Sequence, residues 1–117
     1  MSIAQGPILQ FYRGDGFSRV FTLKVDGMAQ DITGWTVYLT GKKDLADSDA
    51  NALFQKKNTV HGPGTGQTTF ALDKDDTDIE PEEGYWYDIQ YLPPDGDPMT
   101  VRGKFNVYQD VTITTTP

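Results

Sequence analysis

The residues that could carry chemistry are few. His61 is the single histidine, set beside Gly62-Pro63-Gly64, and the chain contains no cysteine. An imidazole works as a general base only when a nucleophile lies within its reach. The sequence offers no Gly-x-Ser-x-Gly elbow, so His61 is expected as an exposed loop residue. Neither a Gly-x-x-x-x-Gly-Lys-Ser/Thr cradle nor a Gly-x-Gly-x-x-Gly turn is present, which removes the phosphate and dinucleotide motifs. A non-enzyme without cofactors is expected.

Residues 73–83, "DKDDTDIEPEE", hold seven acids against one lysine, a local balance of −6 in a chain of net charge −7. Hard cations want carboxylate and carbonyl oxygens converging from one loop. Asp73, Asp75 and Thr77 have the alternating spacing, but Asp78 replaces the glycine needed at the sixth loop position and Gly84 the glutamate at the twelfth. The EF-hand pattern fails, leaving a looser site at Asp75, Asp76 and Asp78 or, preferred here, a solvated turn. No metal ligands are assigned.

Arg13, Gly14 and Asp15 spell a tripeptide widely read as a cell-adhesion signal. They lie between the strand-like runs "ILQFY" and "FSRVFTL". Gly14 and Gly16 permit positive φ and Asp15 can bond its own backbone, so the stretch reads as a bend.

Those residues must be positioned by strands. Phe17, Phe21, Leu23 and Val25 alternate with polar residues, Asp26-Gly27 follows as a turn, and Trp35, Val37 and Leu39 alternate with Thr36, Tyr38 and Thr40. Residues 44–52 read as a loop with one helical turn. Thr68, Phe70 and Leu72 share one face of "QTTFAL", and "YWYDIQYL" and "MTVRGKFNVY" flank "PPDGDP" as a hairpin. Phe21, Leu23, Trp35, Tyr87, Ile89 and Phe105 are the expected core. Short strands with regular turn signals predict a single all-β domain over 1–117, an antiparallel sandwich of about seven strands, with a small barrel as the competing architecture. Residues 1–7 and 114–117 are expected as loose ends. Tyr87 is placed at the strand entrance as the candidate tyrosine corner.

Strand alternation then orients the hairpin. With Tyr85, Tyr87, Ile89 and Tyr91 inward, Trp86, Asp88 and Gln90 face out, joined by Arg102, Lys104, Asn106 and Tyr108. Asp88 is expected beside Arg102 or Lys104 as a cross-strand ion pair. Exposed Trp86 and Tyr108 would mark a surface that a partner covers, since aromatics and arginine concentrate at interface centres.

Composition narrows the partner. Acidity argues against a nucleic-acid footprint, and no apolar run of about 18 residues could span a bilayer. The N-terminal "MSIAQGPILQ" lacks a signal-peptide pattern, so neither a secretory precursor nor a membrane protein is expected.

The segments "RGDGFSRVFTLKVDG", "DITGWTVYLTGKKD", "DSDANALFQKK", "YDIQYLPPDG" and "RGKFNVYQDVT" together resemble small immunoglobulin-like proteins of bacteriophage and prophage tail regions. They are similar to the N-terminal domain of phage baseplate upper proteins. Gly14-Asp15, Asp31-Ile32-Thr33-Gly34, Tyr87-Asp88-Ile89 and Gly103-Lys104-Phe105-Asn106-Val107 carry the resemblance, which spans residues 8–114. It implies a virion tail or baseplate subunit, acting by self-association or docking to other tail proteins, with structural turns at Gly14, Asp15, Asp31 and Gly34. Trp35 stands where the family more often has a small residue. A carbohydrate-binding module stacking sugars on Trp86 is the alternative.

Overall fold

A computed structural model describes residues 4–62 and 64–111, with side chains from residue 6 onward. The ends expected at 114–117 lie outside the described residues. The expectation of a loose 1–7 is corrected from residue 4 on. Strand β1 (Ala4–Gln5) pairs with Val101 and Arg102, and the Gly6 amide donates to the Arg102 carbonyl at 2.8 Å.

The remaining strands are β2 (Leu9–Tyr12), β3 (Phe17–Thr22), β4 (Lys24–Val25), β5 (Met28–Ala29), β6 (Thr36–Lys42), β7 (Phe54–Asn58), β8 (Gln67–Leu72), β9 (Glu82–Leu92) and β10 (Met99–Tyr108). One 3-10 turn, Asp49–Asn51, interrupts the loop between β6 and β7 where a helical turn was expected. No helix among the described residues is long and apolar enough to cross a membrane.

Six strands form one sheet in the order β1-β10-β9-β6-β7, with β2 following β1 along the same edge of β10. Both N-terminal strands run parallel to β10; the other pairings in this sheet are antiparallel. Strands β3 and β8 form the facing sheet, and β4–β5 a small hairpin whose turn residues Asp26 and Gly27 both have positive φ. A sheet ordered as last, penultimate, third and fourth major strands, facing the second and fifth, is the immunoglobulin arrangement. The protein is thus an immunoglobulin-like sandwich and not a barrel.

Alternation drives the assembly. Thr68, Phe70 and Leu72 are buried along β8, and Tyr85, Tyr87, Ile89 and Tyr91 along β9, while intervening positions face water or the half-buried outer surface. Phe105 lies at the centre, its ring 5.1 Å from Tyr85, 5.5 Å from Phe54 and 5.7 Å from Phe11. Of the expected core, Phe21, Leu23, Tyr87, Ile89 and Phe105 are buried and Trp35 is half-buried against them. Val25 is not; it sits on the β4–β5 hairpin and is exposed, because the strand breaks at Leu23.

The tyrosine corner is Tyr85, not Tyr87. Tyr85, near the start of β9, donates its hydroxyl to the Glu80 carbonyl at 2.5 Å, five residues upstream. The Tyr87 hydroxyl reaches instead past β10 to the Pro7 carbonyl at 2.6 Å, between β1 and β2 at the edge of the same sheet. It does so over glycines: Gly103 on β10 and Gly6 beside Pro7 leave room for its ring and hydroxyl. A Cβ on Gly103 would come within 2.6 Å of the Tyr87 ring.

Candidate functional site

The outer face of the six-stranded sheet follows from the register. Trp86 stands between Lys42 and Lys104, Asp88 between Thr40 and Arg102, and Gln90 between Tyr38 and Thr100. Five of the six residues expected as a partner surface, Trp86, Asp88, Gln90, Arg102 and Lys104, therefore lie together. Tyr108 is separated from them: it is half-buried beyond the irregularity in β10 and packs on Tyr12 of β2, ring centres 6.0 Å apart.

Trp86 is half-buried and not exposed as expected. Its ring is covered by the Arg102 guanidinium at 5.4 Å and the Lys104 ammonium at 4.5 Å. Each contact is worth about 0.5–1 kcal/mol at a wet surface. The predicted ion pair of Asp88 with Arg102 or Lys104 is absent, because both cations lie over the indole. Lys42, the next cation, is held elsewhere by Asp49 Oδ1 at 2.9 Å and the Asp47 carbonyl at 2.8 Å. Burial raises the Asp88 carboxyl above the usual range; Lys42 opposes this weakly, and Asp49 adds to it.

Lys42 folds the 43–53 loop back toward the sheet. With Leu45 and Asp49 on its rim, this leaves a depression of about 350 Å3 whose floor includes Tyr38, Thr40, Gln55, Asp88 and Gln90. Gln55 donates to Thr40 Oγ1 at 3.1 Å. Tyr38 and Thr40 were legible as part of the outward set of β6, but their place beside β9 was not, since pairing order is not written in either strand alone. The depression holds a half-buried carboxylate and amide and hydroxyl groups, with no nucleophile–base pair.

His61 is corrected from an exposed loop residue to a half-buried tie. Its Nε2 lies 2.8 Å from the Trp35 carbonyl and Nδ1 2.9 Å from Thr68 Oγ1. A carbonyl only accepts, so Nε2 carries the proton and Nδ1 accepts from Thr68. Thr68 in turn accepts from Asn58 Nδ2 at 2.9 Å. The imidazole thereby links the entries of β6 and β8 and is committed to structure.

The stretch from Arg13 to Asp15 is a bend held by main-chain bonds and by the Arg13 side chain, and the bond expected from the Asp15 carboxylate to its own backbone is not among them. Gly14 has φ +82°, and the Asp15 amide donates to the Tyr12 carbonyl at 3.1 Å. Gly16 does not need positive φ, contrary to expectation. Arg13 Nε donates to Asp78 at 2.8 Å and Nη1 to Glu80 at 3.4 Å, while Thr77 Oγ1 donates to the Asp15 carbonyl at 2.7 Å. The acidic segment is thus the counterpart of this bend. Two of its other carboxylates turn back on the segment: Asp73 accepts the Asp75 and Asp76 amides at 2.9 and 3.0 Å, and Asp76 accepts the Asp73 amide at 2.9 Å and also pairs with Lys56 at 2.8 Å. These amide bonds hold the Asp73 carboxyl below its ordinary range.

Asp31 and Gly34 form the expected turn. Asp31 Oδ1 accepts the Thr33 amide at 3.0 Å and hydroxyl at 2.6 Å, Trp35 N–H closes onto the Ile32 carbonyl at 3.0 Å, and Gly34 has φ +83°.

No known family profile matches the chain, and no curated protein matches it. Among solved structures it is similar to a strand-swapped dimer of the immunoglobulin-like domain of mouse leukocyte-associated immunoglobulin-like receptor 1, at 14% identity and a TM-score of 0.49. The match covers 92% of this chain and 95% of that one. Likeness at that level carries no argument about function; the fold assignment rests on the strand order given above.

Proposed function

We propose that the protein is a non-enzymatic structural or assembly component of a phage or prophage tail or baseplate, residing in the virion and docking to other tail proteins through the outer face of its six-stranded sheet. The ordered motifs from Gly14-Asp15 to Gly103-x-Phe105-x-Val107 support the tail assignment. The observation that carries the docking surface is Trp86 under Arg102 and Lys104, next to the unpaired carboxylate of Asp88. An aromatic ring with arginine on a regular sheet face is the composition of interface centres. Cations that lie over an indole when free can turn to a partner's carboxylates when it docks. A sugar would first have to displace both cations to stack on the ring, which ranks the carbohydrate reading second.

Co-expression with the tail proteins encoded beside the gene, followed by mass photometry, tests the reading. Trp86→Ala and Arg102→Glu are expected to weaken the complex at least about tenfold, or about 1.4 kcal/mol, with little change in melting temperature. Complexes of unchanged mass and stability in both variants would refute it, as would a glycan-array signal abolished by Trp86→Ala.

A further inference from the structure

Four long edges of the sandwich are open to comparison, and three are guarded. The β7 edge carries Lys56 and Lys57. The β1–β2 edge is short and interrupted by Gly6-Pro7. On β8 the Thr69 carbonyl, which points away from β3, is taken by Asn58 Nδ2 at 2.6 Å. Charges, breaks and covering side chains are the devices that stop a sheet edge from recruiting another strand.

Strand β3 carries one charge, Arg19, but no break, bulge or covering side chain on its free side. It pairs with β8 without a bulge from Phe17 to Thr22. The Leu23 amide donates to the Gly66 carbonyl at 2.9 Å, which fixes the alternation: residues 17, 19, 21 and 23 bond toward β8, and Ser18, Val20 and Thr22 turn their N–H and C=O groups outward. The Asn58 cap on Thr69, the partner of Val20, independently agrees with this parity. Nothing among the described residues pairs with that outward row. Its outer-face side chains are uncharged, two of the three are β-branched, and Val20 is 52% exposed. A furrow of about 290 Å3 runs beside the strand, with Gly6 and Pro7 on its far bank.

We propose that β3 is a self-association edge, pairing antiparallel with β3 of a second copy of this chain about a two-fold axis at Val20. The sequence Ser18-Arg19-Val20-Phe21-Thr22 is self-complementary in that register. Val20 meets the partner's Val20, and Ser18 meets the partner's Thr22, as pairs that exchange both main-chain bonds. Arg19, the only charge on the strand, lies across from the partner's Phe21 and not from its own equivalent, so like charges do not oppose each other directly. The two-stranded sheet becomes four-stranded and continuous, which satisfies the orphaned row and removes the edge. A two-fold contact closes on itself, so it yields a dimer and not a filament. This surface is separate from the Trp86 face, and its fate does not depend on the docking proposed there.

The test is sedimentation equilibrium of the full chain over a wide concentration range, with amide exchange by NMR on the same samples. A concentration-dependent dimer is expected, in which protection of Val20 and Thr22 rises with concentration while Phe21 and Leu23 stay protected throughout. Val20→Lys and Val20→Pro, each confirmed folded by circular dichroism, are expected to weaken the dimer at least about tenfold. Trp86→Ala should leave it intact. A monomer at all concentrations, a dimer unaffected by either Val20 change, or protection of Val20 and Thr22 that does not change with concentration would overturn the proposal.

Discussion

Tyr87 and Gly103 form one packing unit: the tyrosine ring lies over the glycine of the adjacent strand, close enough that an added Cβ would meet it at 2.6 Å. Glycine inside a strand ordinarily costs about 0.5–1 kcal/mol relative to alanine. Overpacking a buried ring costs about 1–3 kcal/mol, and here it wins. Gly103→Ala is therefore expected to lower stability in urea unfolding. Gly41→Ala should do the same against the Phe54 ring, at 2.5 Å. A stability gain in either variant would mean that the rings step aside freely.

The His61 linkage makes a sharp contrast with its reading as an exposed residue. Removing an exposed histidine changes stability by no more than about 0.5 kcal/mol. Removing one that donates to the Trp35 carbonyl and accepts from Thr68 should cost about 1–3 kcal/mol, because part-buried partners are stranded. Denaturant titration of His61→Ala decides between these.

At the Arg13 bend, Gly14→Ala places a side chain at φ +82° and is expected to cost about 1 kcal/mol, with no effect on cell attachment. Thr77→Val removes the hydroxyl that holds the Asp15 carbonyl; Thr77 is fully buried, so about 1–2 kcal/mol should be lost. Normal melting of both variants would remove the bend from the list of structural elements.

The carboxylates predict opposite pH behaviour. Asp31 and Asp73 are held below their ordinary range, by the Thr33 hydroxyl and the Asp76 amide respectively, so their contribution is present above the unfolded value and is lost as pH falls. Asp88 is raised by burial, so the fold favours its neutral form and stability declines as pH rises through that group's titration. Asp88→Asn should thus stabilise near neutrality and be indifferent in acid, while Asp73→Asn should destabilise near neutrality. Tyr87 and Tyr91 are both pushed up to about 12 by burial. Stability should fall from about pH 10, where the unfolded tyrosines ionise, to about pH 12. A step in tyrosinate absorbance that coincides with unfolding in this range would check this.

Alternation along β6, β8, β9 and β10 made the strands, their buried faces and the sandwich legible, since burial on one side writes itself at every second residue. The Arg13 bend and the Asp31 turn were legible for a local reason: glycine and aspartate act within a few positions. What failed was long-range. The tyrosine corner went to Tyr87 because either tyrosine fits the pattern, and only the position of the Glu80 carbonyl chooses Tyr85. His61 was misread because its partners lie 7 and 26 residues away. The Asp88 pair was expected with Arg102 or Lys104 in either of two registers, and Arg102 does stand opposite Asp88, yet its guanidinium lies over Trp86, a choice between two adjacent neighbours that no spacing reveals.

The parallel alignment of β2 with β10 has a mechanical side. Ala4 lies level with Val101 and Tyr12 with Tyr108, so the chain enters at one end of β10 and leaves at the other. Tension applied between Ala4 and Val111 therefore runs along the strands. It loads the rungs from Leu9 to Tyr12 in shear, all together, instead of peeling them one at a time. A single-molecule pull through these two points should meet a far higher rupture force than one that opens the β9–β10 hairpin from its turn.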